Sequence, residues 1–236
     1  VWPLKDARKR AKELLRLVDL GLDPQAETEK RSPTVEQLCR EYLEKAEQGL
    51  ILGRKGTPKK PSTLATDRGR VVRHIIPLLG AKLITDITPA DARAFLEAVT
   101  LGKTKADVKT KLRGRAIVRG GSGAASRTLG LLGGIFTYAV VRGYLASNPI
   151  RGIRRPKDNK RRQRLTPPDY AALSVTLAAL NRSWQFVYAV KLIALTGLRR
   201  GEALKLKWSE VDLYRQTLFL GDTKTGESLR PLGRAA

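Results

Sequence analysis

Three ionisable residues in the last third of the chain have types and spacing that suit chemistry at a phosphodiester. Arg199 and Glu202 lie in "TGLRRGEALKLKW" (196–208), and Lys224 lies in "GDTKTGESLRPL" (221–232). Attack on a phosphodiester makes a trigonal-bipyramidal phosphorus whose equatorial oxygens gather charge. A guanidinium is always protonated and planar, so it can clamp those oxygens without a metal. A carboxylate three residues along a helix can hold that arginine in place. A lysine whose pKa is drawn toward neutrality by its neighbours can protonate the departing 5′ oxygen. Each residue also has an ordinary reading. An Arg–Glu pair at this spacing is commonly a helix-surface ion pair worth a few tenths of a kcal/mol, and a lysine in a T-K-T-G turn is commonly just a turn residue.

Other chemistries find little support. Glycine-rich nucleotide cradles, metal-ligand pairs and Ser/His/Asp sets are absent as local motifs, so no cofactor or metal is expected. The sparse carboxylates of the second half argue against a two-metal nuclease. The single cysteine, Cys39, rules out an internal disulfide framework and any cysteine-based zinc site, and reads as a small core residue on an apolar helical face. The single histidine, His74, reads as a surface or helix-packing residue. Forty-six Lys and Arg against 22 Asp and Glu leave a net charge of +24. A folded chain tolerates that self-repulsion most readily beside a polyanion, and nucleic acid is the usual one; ribosome association or a generally basic surface are the alternatives. No run reads as long and apolar enough to span a membrane, and no signal-peptide pattern is present. A cytoplasmic protein with no membrane partner is expected. The sequence holds no methionine, so Val1 is not expected to be a natural start, and the chain is expected to be a piece of a longer protein.

Helical periodicity organises most of what positions these residues. "LKDARKRAKELLRLVDLGLDP" (4–24) repeats apolar residues with a helical period and stops at Gly21 and Pro24. A polar linker, 25–33, follows. "TVEQLCREYLEKA" places Val35, Leu38, Cys39, Tyr42, Leu43 and Ala46 on one face. A second helix is expected over about Ser62–Leu79. A third opens at Thr88 with Pro89 in its first turn and Asp91 completing a capping box. Residues 102–123 read as a basic, glycine-rich loop, and a fourth helix runs from about Ala125 to Arg142. These helices can bury one another, so 34–150 reads as a compact all-α domain. "RRPKDNKRRQR" (154–164) reads as a solvated linker that can also lie along phosphates. A new domain opens at Thr166 with Pro167 and Asp169. "WQFVYAVKLIAL" is apolar nearly all round, as a central helix should be, and "QTLFLGDTKTGESLRPL" reads as a β-hairpin.

The segment "ALTGLRRGEALKLKWSEVDL", followed by "DTKTGESLRPL", resembles the first catalytic box of the tyrosine recombinases, the phage-integrase family. That pattern is T-G-x-R-x-x-E-x-x-x-L-x-W-x-D-[IV]-D, then a lysine in a K-T-G turn before a strand ending in P-L; Glu210-Val211-Asp212 stands here where D-I-D is commoner. "ASRTLGLLGGIFTYAVVRGYLASNP" resembles the last helix of the family's core-binding domain, and 4–24 resembles the end of the arm-binding domain of prophage and genomic-island integrases. The resemblance implies a mainly α, multidomain fold. Residues 1–24 would end an arm-type domain, 34–150 would form a SAM-like four-helix core-binding domain, 151–164 a basic linker, and 165–236 the start of a mixed α/β catalytic domain. It implies that Arg199 is the first catalytic arginine, Glu202 the acidic member of the box and Lys224 the general-acid lysine. Arg200 has no family role and reads as a surface charge or a neighbouring phosphate contact. The implied activity is site-specific recombination: two domains close as a clamp on duplex DNA, a tyrosine forms a 3′-phosphotyrosyl link, and neither ATP nor metal is needed. Members work as homotetramers on DNA, in prophage-bearing or other bacterial cytoplasm at the nucleoid.

The family's H-x-x-R box and tyrosine nucleophile have no counterpart in these residues. Tyr214 precedes the lysine turn, and Tyr42, Tyr138, Tyr144, Tyr170 and Tyr188 read as packing residues in helices. The chain is therefore expected to bind DNA without cutting it. Expected contacts are Ser126 and Arg127 beside free N–H groups of the fourth helix, Lys109, Lys111, Arg113, Arg115 and Arg119 in the preceding loop, and Thr63 and Arg68 on the second helix. The competing reading is a non-catalytic DNA-binding protein, either a decayed integrase or an excision-type regulator, which would make no demand on Arg199, Glu202 and Lys224 as a set.

Overall fold

The computed structural model describes residues 3–21, 32–53, 56–112, 114–156, 164–223 and 226–234, with side chains other than those of Asp6, Arg10, Lys111 and Asp222. Pro24, most of the 25–33 linker and most of the charge run 154–164 lie outside the described residues. Contacts divide the chain into two compact units, Val1–Lys160 and Arg161–Ala236. The fold is mainly α with small antiparallel sheets.

In the first unit, α1 (Leu4–Asp19) ends where Gly21 takes a positive φ of 72°. Its Leu4, Leu15 and Val18 are exposed. Helix α2 (Val35–Glu47) starts with a reciprocal cap, in which Thr34 Oγ1 accepts the Gln37 N–H and Gln37 Oε1 accepts the Thr34 N–H. All six apolar residues of its expected face are buried, Cys39 among them, and burial pushes that thiol up to about 12.

The helix expected over 62–79 is instead α3 (Pro61–Arg70), a π-helical turn (Val71–Ile75) and α4 (Ile76–Leu79). Pro77 supplies the reason: it has no N–H, and its ring crowds the carbonyl four residues back, so the preceding turn widens. His74 sits in that turn, buried, with Nδ1 2.6 Å from Thr104 Oγ1. Burial, then Arg73 and Arg70, hold its pKa below the ordinary histidine value.

Helix α5 (Pro89–Thr100) opens with the expected box: Asp91 Oδ2 accepts the Thr88 N–H at 2.9 Å, and Thr88 Oγ1 accepts the Asp91 N–H at 3.2 Å. Lys82 Nζ, 2.6 Å from Asp91 Oδ1, is the main cause of an Asp91 pKa well below the usual carboxylate range; the Thr88 bonds add to it. A folded pKa below the unfolded one stabilises above the unfolded value of 3.8, and that stability is lost as pH falls through the folded pKa. Asp91→Asn should therefore cost about 1 kcal/mol at neutral pH, the size of a lost cap. In denaturant melts the gap to the parent should close as the solution is taken below pH 3.8.

The loop expected over 102–123 is a β-hairpin, β1 (Ala106–Lys111) paired antiparallel with β2 (Gly114–Val118). Two glycines with positive φ, Gly120 and Gly121, then lead into α6 (Ser122–Val141). A Cβ on Gly120 would lie 2.5 Å from the Val99 carbonyl, so only glycine fits that crossing. By length and composition α6 does suffice to cross a membrane, contrary to the sequence expectation. Most of its apolar residues are nevertheless spent on the core: Ala125, Leu129, Leu131, Leu132, Ile135, Phe136 and Ala139 are buried among side chains of α2, α4 and α5. Tyr138 on α6 and Tyr144 just beyond it donate to the two oxygens of Glu41 at 2.6 and 3.1 Å. Asn148 Nδ2 donates to the Gly133 carbonyl at 2.8 Å and its Oδ1 accepts the Ile150 N–H at 2.9 Å, which gives the "GYLASNP" ending a structural purpose.

The second unit holds α7 (Pro167–Ala179), α8 (Trp184–Thr196), the short α9 (Arg200–Ala203), a 3-10 turn (Trp208–Glu210) and a sheet in the order β3 (Val211–Asp212), β4 (Thr217–Thr223), β5 (Gly226–Pro231). Thr166 opens α7 as expected, its N–H and hydroxyl both donating to Asp169 Oδ2. The expectation that α8 is a buried central helix is not met: none of its residues is buried, and Trp184 and Tyr188 are largely exposed. The unit's core is small, with Leu198, Leu218 and Leu220 at its centre and Leu192, Ala203, Leu206, Val211 and Leu232 around them.

Candidate active site

The end of α8 sets the site's backbone. Thr196 Oγ1 donates to the Leu192 carbonyl and accepts the Leu198 N–H, and Gly197 takes the left-handed conformation that closes a helix (φ 64°, ψ 19°). Leu198 turns into the core, which leaves Arg199 extended at the position just before α9. Glu202 lies in the first turn of α9 and reaches back. Its Oε2 accepts the Arg199 N–H at 2.9 Å, and its Oε1 accepts from Arg199 Nη1 at 2.6 Å. The pair expected on one helical face is thus a cap-like arrangement, in which the carboxylate fixes the arginine's backbone and its side chain together.

A second arginine completes it. Arg230 on β5 places Nη2 3.7 Å from Glu202 Oε2 and donates from Nη1 to the Gly197 carbonyl at 3.4 Å. Glu202 is 9% exposed between Arg199 at 50% and Arg230 at 26%. Its pKa lies below the ordinary glutamate value, chiefly through the Arg199 backbone bond, then the Arg199 side chain, with Arg230 adding attraction. The carboxylate stays ionised, and the Arg199 side chain remains half exposed, where an anion can meet its guanidinium.

Arg230 carries no signal in the linear pattern. In "GESLRP" an inward leucine is the natural guess, yet Leu229 is exposed and Arg230 faces the core side. The register decides: Leu218 pairs with Arg230 and Leu220 with Ser228, and partners across a ladder share a face. Lys224 lies outside the described residues, so the site brought together is Arg199, Glu202 and Arg230. Thr223 Oγ1 donates to the Gly226 carbonyl across the hairpin's end.

The expected DNA contacts are scattered over the first unit. Thr63 and Arg68 are exposed on α3, where Arg68 pairs with Glu47. Lys109 and Arg115 are exposed on the β1–β2 hairpin and Arg119 just beyond it, while Arg113 and the Lys111 side chain lie outside the described residues. Ser126 and Arg127 lie deeper in α6 than the expected start near Ala125 implies. Because α6 begins at Ser122, its unbonded N–H groups belong to Ser122, Gly123 and Ala124, and those of 126 and 127 lie inside the helical ladder. Arg200 is exposed as the first residue of α9. Tyr42 is buried, but Tyr170 and Tyr188 are exposed rather than packed, and Tyr214 is almost fully so. Among the described residues no cluster of His, Cys, Asp or Glu could hold a metal ion.

No family model matches the chain. Over 179 residues it is 30% identical to the integrase of Escherichia phage HK022, a match covering 76% of this chain and 43% of that protein. Over 227 residues it is 26% identical to the prophage integrase IntZ of Escherichia coli (strain K12), covering 93% of this chain and 51% of the relative. The chain thus spans about half or less of the length of these relatives. In fold it is similar to lambda integrase, solved as a dimer bound to a COC′ core site, with a TM-score of 0.64, 20% identity, and coverage of 94% of this chain and 57% of that one.

Proposed function

Because the chain belongs to the tyrosine recombinase, or phage integrase, family, we propose that it is the DNA-engaging part of a site-specific recombinase that breaks and rejoins strands through a 3′-phosphotyrosyl link. The observation that carries this reading is the Glu202 carboxylate held between two guanidiniums, with half of Arg199 open to solvent. Arg199 clamps the equatorial oxygens of the scissile phosphate, Glu202 and Arg230 position it, and Lys224 protonates the 5′ oxygen. The helical unit and the catalytic unit close on duplex DNA, and the working assembly on DNA is a homotetramer in the bacterial cytoplasm. The net charge of +24 supplies the attraction to the polyanion.

These residues contain one histidine and no H-x-x-R box, so they are expected to bind duplex DNA without forming a covalent adduct. If six to ten phosphates are neutralised, affinity should fall roughly 10³- to 10⁵-fold between about 50 and 200 mM salt. Fluorescence anisotropy on a labelled duplex measures the slope, and a nicked suicide duplex analysed by denaturing gel reports any adduct. Binding indifferent to salt, or a protein–DNA adduct from these 236 residues, would overturn the reading.

A further inference from the structure

The β1–β2 hairpin forms a sheet of its own, with no third strand among the described residues. Its register pairs Asp107 with Ile117 and Lys109 with Arg115, so these four side chains share one face, and all four are exposed. On the other face Ala106, Ala116 and Val118 are half-buried and Val108 is exposed. A two-stranded sheet is marginal by itself, and like charges directly opposite each other weaken it further. Lys109 directly opposite Arg115 is the like-charge pair on the exposed face, and a polyanion laid against it would relieve that repulsion.

The detail that goes beyond charge is how Arg115 is held. Its Nε donates to Asp107 Oδ1 at 2.6 Å and its Nη2 to Oδ2 at 2.5 Å, a side-on grip that uses one edge of the guanidinium. The remaining N–H groups of the planar fork point away from the carboxylate as a fixed donor pair. A pair of that kind matches the O6 and N7 acceptors that guanine shows in the major groove. The major groove, about 12 Å wide, admits a two-stranded ribbon, whereas the minor groove, about 6 Å wide, is narrow for one. Ile117 on the same face suits a thymine methyl, which is also a major-groove feature. Lys109, with Lys105 and Arg119 at the ribbon's base, is placed for phosphates, which fix register rather than read sequence.

We propose that the β1–β2 ribbon enters the major groove of duplex DNA and that Arg115, pre-set by Asp107, reads a guanine there. This rests on the reading of the chain as a recombinase's DNA-engaging part and adds a specificity-determining element to it. The test is selection from a random duplex library by the 236-residue chain and by Arg115→Ala. The parent should enrich a motif containing a guanine that the variant no longer enriches. Replacing that guanine with 7-deazaguanine should weaken the parent roughly tenfold and leave Arg115→Ala nearly unchanged. Lys109→Ala should weaken all duplexes alike and flatten the salt slope. The same motif from parent and variant, no motif from the parent, or indifference to 7-deazaguanine overturns the ribbon's role and leaves the recombinase reading standing. Failure to bind any duplex removes both.

Discussion

Phe136→Ala is expected to destabilise the helical unit by about 3–5 kcal/mol. Phe136 is fully buried on α6, within a cluster that also holds Leu38, Ile75, Phe95 and Leu132 at 2% exposure or less. Removing the ring deletes its transfer free energy and leaves a cavity that close-packed neighbours fill only in part. At roughly 2–4 °C per kcal/mol for a unit of this size, the helical melting transition should fall by about 6–20 °C. Circular dichroism at 222 nm reads this directly. Tyr214→Ala, at a side chain almost wholly in solvent, is the control and should shift stability by no more than about 0.5 kcal/mol. A Phe136→Ala melt indistinguishable from that control would mean that α6 is not the centre of this unit.

Arg199→Lys should lower strand cleavage by about 10²- to 10³-fold, with duplex affinity nearly intact, in a protein that joins these residues to a family nucleophile and H-x-x-R box. Arg199 gives one side-chain N–H to Glu202 at 2.6 Å, and its side chain is half exposed. A lysine offers a single ammonium on a flexible stem, so it can hold the carboxylate or meet the phosphate but cannot reproduce the two-pronged clamp. Adduct formation on a suicide duplex, timed under single-turnover conditions, measures the loss. Full-rate cleavage by the lysine variant would show that the guanidinium fork is not what stabilises the transition state.

What could be read from the sequence was local. The box at Thr88–Asp91, the helix start at Thr166 and Asp169, and the buried face of α2 depend on residues within a turn or two of each other, and the structure places them as the spacing predicts. The Arg199–Glu202 pair was legible for the same reason, although its backward, cap-like direction was not. The sequence is a poor guide where distant parts decide. The hairpin at 106–118 was hidden because basic and glycine-rich composition imitates a loop, while the alternation that makes a ribbon shows only once its two runs are paired. The sequence puts the start of α6 late because Ser122 and Gly123 are poor helix formers, and the glycine crossing at Val99 that launches the helix is a tertiary contact. Arg230 is silent in the sequence because its direction follows from which residue of β4 it faces.

Glu202 held from two sides has a consequence for timing. An arginine forfeits up to about 2 kcal/mol of side-chain entropy when it is fixed. Here much of that loss falls due when β5 takes its place beside α9, long before any phosphate arrives. On the recombinase reading proposed above, a phosphodiester entering the site would meet donors already aimed and would have little left to freeze, so bond breaking would begin from an environment that does not have to rearrange.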